Sequence, residues 1–295
     1  MDERLGLDSL DRRRLWSPRF ITHPHSRALF LFWRVFSCVY CVGVSCFNAI
    51  LVHGPAYMTY LTVHSVWVTT FYFFLALLCA LLVRAFPSLG AGPRFEPLSL
   101  SCGYNVGAWA AAQRALIILF AIAVSFELVV VTLYWTLLAQ SQPDDIHRWD
   151  NVESHGIKLV LIYIDLLFSS QRLPDPLFVV PLGSGLIYLC VNVGVTLSSG
   201  HPVYSVLSWR DAGSAVIVIG ALIFLVAAYF LASLIAHVRD RFAARLRTNH
   251  GCAEGADDAH PAEFDDDSAP LPCASCRRTK KTQDEAYAAL SGSAG

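Results

Sequence analysis

Charge is what this chain has least of. Asp, Glu, Lys and Arg make up 15% of its 295 residues, where a soluble domain carries about 25%. The formal net charge is −1, so there is no basic excess to hold nucleic acid or another polyanion. The nine cysteines are odd in number and irregularly spaced, which argues against a disulfide framework. Cys38, Cys41, Cys46, Cys79 and Cys190 lie in apolar stretches, where a thiol behaves as a small hydrophobe. The first apolar run starts near Leu29 after a charged lead and has no small-residue cleavage pattern. It reads as a retained span, not a signal peptide. No lipidation signature and no internal repeat is found.

What the chain has instead is apolar length. Hydrophobic residues are 55% of it and the mean hydropathy is +0.49. Six apolar stretches, at 29–52, 57–83, 115–138, 156–170, 177–198 and 213–236, are each long enough or nearly so to cross a bilayer. In lipid every backbone polar group must be satisfied internally, so such stretches are helices. The expected fold is all-α: a polytopic integral membrane protein with six transmembrane helices. Its expected parts are a cytoplasmic segment 1–28, a transmembrane domain 29–236 and a cytoplasmic, largely disordered tail 237–295. The short connection His53–Ala56 predicts antiparallel first and second helices. Residues 85–113 read as a loop, and residues 140–154 as an acidic loop.

Lys/Arg bias sets the expected orientation. The leading segment holds Arg4, Arg12, Arg13, Arg14, Arg19 and Arg27. Arg84, Arg94 and Arg114 follow span two, Arg172 follows span four, and Arg239, Arg241, Arg245 and Arg247 follow span six. The other side has Arg148 and Arg210 in loops and Lys158 near a span end. Both termini are therefore expected in the cytoplasm, which requires an even number of spans, in the plasma membrane or an endomembrane. Span four is the weakest element, because Asp165 interrupts a short run. A helix of its length covers roughly 24 Å, against a hydrocarbon core of about 30 Å. It is expected to be screened by its neighbours or to extend into the preceding polar segment. The alternative is five spans and a re-entrant piece.

Polar residues inside these runs form stripes at helical spacing. One face of span two reads Thr62, Ser65, Thr69, Tyr72, and one face of span four reads His155, Lys158, Ile162, Asp165, Ser169. Span five aligns Tyr188, Asn192 and Thr196. Hydroxyls and amides in membrane helices mostly bond a neighbouring helix, at roughly 0.5–1 kcal/mol each. Ionisable groups cost about 2.5–3.5 kcal/mol at mid-bilayer and so mark candidate functional positions. Arg34 and Asp165 fall at similar depth and are expected to pair; the alternative is that Arg34 snorkels. Glu127 has no evident partner at its depth and either carries a proton or faces a wet cavity. Thr62, His64, His155 and Lys158 fall toward the outer side, where they could share a pocket with Asn192. A hydroxyl beside a base is the minimum for nucleophilic catalysis.

Other chemistries have weaker support. A haem needs two His at matched depth, and only His64 and His155 offer that. Cys273-Ala-Ser-Cys276 with Cys252, His250 and His260 has partial zinc spacing in a tail that cannot bury a core. No cofactor and no metal is expected. A transporter path through Glu127 and Asp165 lacks paired interrupted helices.

Read in order, five stretches carry a family resemblance. They are Leu31-Phe32-Trp33-Arg34; Tyr60-Leu61-Thr62; Val131-Thr132-Leu133-Tyr134-Trp135-Thr136-Leu137-Leu138; His155 to Asp165; and Arg172-Leu173 through Pro181-Leu182 and Gly185-Leu186-Ile187-Tyr188-Leu189 to Asn192. Ser208-Trp209 fits as well. Together they resemble the rolling stone family of multi-span membrane proteins, from about residue 28 to 236. That resemblance implies a role in cell-surface or cell-fusion processes without an established catalytic activity. More distantly the chain is similar to the androgen-induced membrane hydrolases of fatty-acid esters, which use a Thr and a His. Their Thr matches Thr62 here. Their His lies three residues after the His of a His-Gly pair, and the pair His155-Gly156 puts Lys158 at that position. The implied alternative is a threonine-dependent lipid ester hydrolase with Thr62 as nucleophile and Lys158 or His155 as base. A Lys base requires a pKa well below its usual value of about 10.4. The expected partners are the bilayer and, on the hydrolase reading, a lipid ester; protein partners stay open.

Overall fold

The computed structural model describes residues 24–51, 59–86, 106–138 and 152–254. The expected cytoplasmic lead (1–23), the 53–56 connection, most of the 85–113 and 140–154 loops, and the tail beyond 254 lie outside the described residues. The described chain is helical, with no strand among the described residues. The helices are α1 (Pro24–Leu51), α2 (Leu61–Ala85), α3 (Val106–Leu133), α4 (Lys158–Phe168), α5 (Val179–Ser199) and α6 (Ala212–Glu254). Among the described residues five segments are long and apolar enough to cross a bilayer: Ala28–Ile50, Leu61–Ala85, Ala111–Leu137, Asp175–Ser199 and Ala212–Ala243. The apolar runs dictate these positions because nothing else could satisfy their backbone in lipid.

Two boundaries move from the expected ones. Residues 106–113, expected as part of the 85–113 loop, are helix. Helix α6 runs on to Glu254, past the point where a tail was expected to begin. Beyond its apolar part the sequence is Arg- and Ala-rich, and both residues favour helix. The chain divides into two compact units, Met1–Asp240 and Arg241–Gly295. The helix packing and the polar interior belong to the first.

Helix α2 packs against α1 and α3, and α3 also meets α4 and α5. The main core joins Tyr72, Phe73 and Ala76 of α2 to Leu116 and Phe120 of α3, Ile162 and Leu166 of α4, and Tyr229 and Ala232 of α6. A second cluster joins Ile122, Phe126 and Val129 of α3 to Leu225 and Ala228 of α6. Large apolar side chains also face outward, including Phe32, Val39 and Phe47 on α1 and Val216, Ile223 and Leu234 on α6. An apolar face of that extent is unsuited to water and suited to lipid.

Helix α4 is the short element, and its sequence neighbours extend it. A π-helical turn at Glu153–Ile157 leads into Lys158–Phe168. Together these sixteen residues reach roughly 24 Å at 1.5 Å per residue. Lys158, Leu161, Ile162, Asp165 and Leu166 face the interior. After α4 the backbone at 169–174 is non-helical yet largely buried. Helix α6 satisfies it: Arg239 donates to the Leu166 and Gln171 carbonyls, Ser233 to Leu173 (3.1 Å) and Tyr229 to Pro174 (2.5 Å). Irregular backbone at membrane depth is tolerated only when protein supplies its partners.

Candidate functional site

The polar stripe of α2 organises the interior into three places. Uppermost, toward the Tyr60 end of the bundle, Thr62 lines an apolar cleft of about 100 Å³. Its wall is built from α2, α3, α5 and α6 with the 200–211 connection. Apart from Thr62, the hydroxyls on it belong to Tyr134, Tyr188 and Tyr204. At the deep end α5 and α6 approach closely at Gly185, where a Cβ would meet Leu225 Cδ2 at 2.9 Å.

The connection 200–211 closes over this cleft. Gly200 ends α5 in the left-handed conformation (φ 72°), where glycine has no Cβ penalty. The Tyr204 hydroxyl accepts the Leu61 N–H at 2.9 Å, and its ring meets Tyr60 edge-on. Burial pushes the Tyr204 hydroxyl well above its ordinary pKa, so it stays protonated. Trp209 takes a positive φ of 57°, a strained state for a bulky residue. Two bonds hold it: its N–H donates to Ser214 Oγ (3.0 Å) and its indole N–H to Asn192 Oδ1 (2.9 Å). Asn192 Nδ2 also donates to Tyr188 (3.2 Å), whose hydroxyl donates to the Thr59 carbonyl (3.0 Å). Asn192 thus anchors the closing connection and is not part of the cleft wall.

In the middle, Ser65 and Thr69 face α3 and α4. Thr69 Oγ1 donates to Glu127 Oε1 at 2.6 Å. Glu127 therefore has a partner that matching of ionisable groups by depth does not reveal, because the partner is a hydroxyl. Lys158 is fully buried and pairs with Glu153 at 3.2 Å. Glu153 lies in the stretch expected as an acidic loop, yet it is buried. Asn48 of α1 donates to it at 3.5 Å.

Toward the Arg84 end, the expected Arg34–Asp165 pair is present. Arg34 Nη2 lies 3.1 Å from Asp165 Oδ2, with both side chains sealed from solvent. Tyr72 completes it, donating to Asp165 and accepting from Arg34 Nη1 (3.2 Å) and Gln171 Nε2 (3.0 Å). The guanidinium also sits over the Phe30 ring at 4.9 Å. Arg34 does not snorkel.

Of the residues expected to share one pocket, Thr62 reaches the cleft and Lys158 is held elsewhere by Glu153. The His64 ring meets the Tyr188 ring edge-on, at 5.4 Å between centroids. The side chains of His155, His250 and Cys252 lie outside what the structure describes, and His260, Cys273 and Cys276 lie outside the described residues altogether. Among the described residues no group of three His, Cys, Asp or Glu side chains could hold a metal ion. Comparison with known proteins finds no family model, no curated protein and no solved structure that matches the chain. What the fold defines is a class: an all-helical integral membrane protein with a polar interior and an apolar cleft.

Proposed function

We propose that the chain is a six-span membrane protein of the rolling stone kind, with both termini cytoplasmic, that holds a lipid acyl chain in its cleft. Its setting on this reading is a cell-surface or fusion-type process. The observation that carries it is the cleft wall, apolar along its length with hydroxyls gathered toward the Tyr60 end. Such a wall matches an acyl chain with its polar end beside Thr62, Tyr188 and Tyr204. The test is displacement of a fluorescent fatty acid from the purified chain, with Ala221→Phe filling the cleft. Saturable binding that the variant weakens at least tenfold supports the reading; binding equal in both sinks it.

One observation favours a second reading, a threonine-dependent ester hydrolase: Thr62 stands on that wall. Of the two bases, Lys158 would first have to leave Glu153, which makes His155 the stronger candidate. Fluorophosphonate labelling that disappears in Thr62→Ala supports hydrolysis. Absence of labelling, where a known membrane hydrolase reacts, leaves lipid holding alone.

A further inference from the structure

We propose that Glu127, with Ser65 and Thr69, forms an intramembrane site for one small positive charge, a proton or an alkali cation. Glu127 is wholly buried near the middle of a membrane-spanning helix. Its Oε1 accepts the Thr69 hydroxyl at 2.6 Å, while its Oε2 has no hydrogen-bond partner. The Ser65 hydroxyl, equally buried, faces the carboxyl and interacts with it, but meets no partner within ordinary hydrogen-bond geometry. No ion pair to Glu127 forms among the described residues, and the neighbouring cation Lys158 is engaged by Glu153 at 3.2 Å. The other titratable groups facing this place are Glu153 on the turn before α4 and Cys41 on α1.

A buried carboxylate without a counter-charge is among the costliest arrangements a fold can hold. An arriving proton would neutralise Glu127 and give Oε2 a donor to offer Ser65. An alkali cation would instead meet oxygens only: the carboxylate and two hydroxyls, the donors such hard cations prefer. Both outcomes use the same atoms. Below the site the rings of Tyr72, Phe73 and Phe120 pack at 5.1 Å centroid spacings. Next to them lies the Arg34–Asp165 pair, which the Tyr72 hydroxyl joins and which balances its own charge. The proposal does not depend on the cleft or on what fills it.

Two measurements on the full-length purified chain decide it. Infrared spectroscopy at neutral pH reads the carbonyl stretch of a protonated carboxyl group. Thermal unfolding in sodium chloride against choline chloride, at equal ionic strength, reads cation binding. A carboxyl band lost in Glu127→Gln identifies a proton. A sodium-dependent rise of about 2–4 °C in wild type, absent in Glu127→Gln, identifies an alkali cation. If Glu127→Gln does not fold, Thr69→Val serves: removing the hydroxyl must shift the band or abolish the sodium effect. Neither signal in wild type, or signals that ignore the variants, overturns the proposal.

Discussion

An arginine within a membrane helix costs up to about 2.5–3.5 kcal/mol on insertion scales, the value at the centre. Arg34 meets that cost with a carboxylate at 3.1 Å, a tyrosine hydroxyl and an aromatic face. Removing one partner leaves the other charge buried and alone, a loss of about 3–5 kcal/mol. Arg34→Ala and Asp165→Ala should each reduce folded yield in detergent sharply. The double variant should be no worse than either single, because no uncompensated charge remains. Additive losses, read by size-exclusion recovery, would show that the two side chains act separately. Tyr72→Phe, which removes one hydroxyl from the same network, should cost less than either.

At the scale of the element, α6 opens with a polar cap that lies outside the bilayer-crossing run. Asp211 Oδ1 accepts the Ser214 N–H at 3.0 Å, and Ser208 donates to the same carboxylate. These bonds, the Ser208 hydroxyl first, hold the exposed Asp211 carboxyl below its ordinary pKa. A carboxyl lowered by folding contributes stability above its unfolded pKa of about 3.9, and loses it as pH falls through the lower folded value. Asp211→Ala should therefore lower the melting temperature at pH 7, with the gap to wild type closing in acid. Asp211→Asn, which still caps, should retain most of the pH 7 value. A gap that stays constant with pH would mean the carboxylate charge is irrelevant.

The elements differ in how much of them the chain reveals before folding. Apolar length located five helices, since a run in lipid has no other solution, but not their ends: α3 begins at Val106 and α6 runs on to Glu254. The Arg34–Asp165 pair was legible for a related reason: two costly charges at one depth must meet. The Glu153–Lys158 pair was not. Five residues apart on an α-helix, the two would diverge. The π-helical turn at Glu153–Ile157 closes i to i+5 and turns them to one side, and no local pattern announces such a turn. Thr62 and Lys158 separate for the same kind of reason, because a stripe on one helix does not say which neighbour each of its residues will face.

For the whole molecule, whether α4 crosses the bilayer determines the side on which each end lies. Among the described residues five segments pass the length and hydropathy a span requires, and five crossings would put the termini on opposite faces. The case for a sixth rests on neighbours. Its sixteen residues reach roughly 24 Å, and their polar members, Glu153, Lys158 and Asp165, all face protein. The irregular backbone beyond it takes its bonds from Ser233 and Tyr229 of α6, so it need not end in water to be satisfied. As a sixth crossing α4 would show lipid mainly the exposed Val160, Leu167 and Phe168, and its shortfall against a core of about 30 Å would be small enough for local thinning. Epitope tags at both ends, probed by protease in sealed vesicles of one orientation, should be protected together or cut together. Arg172→Cys, at a position exposed beside Asp240 and in a background with the nine native cysteines replaced, should then label from the side that bears the tags. Tags on opposite sides would make α4 re-entrant and return the cleft, with Thr62 at its mouth, to a five-span frame in which the Lys/Arg bias no longer agrees with the fold.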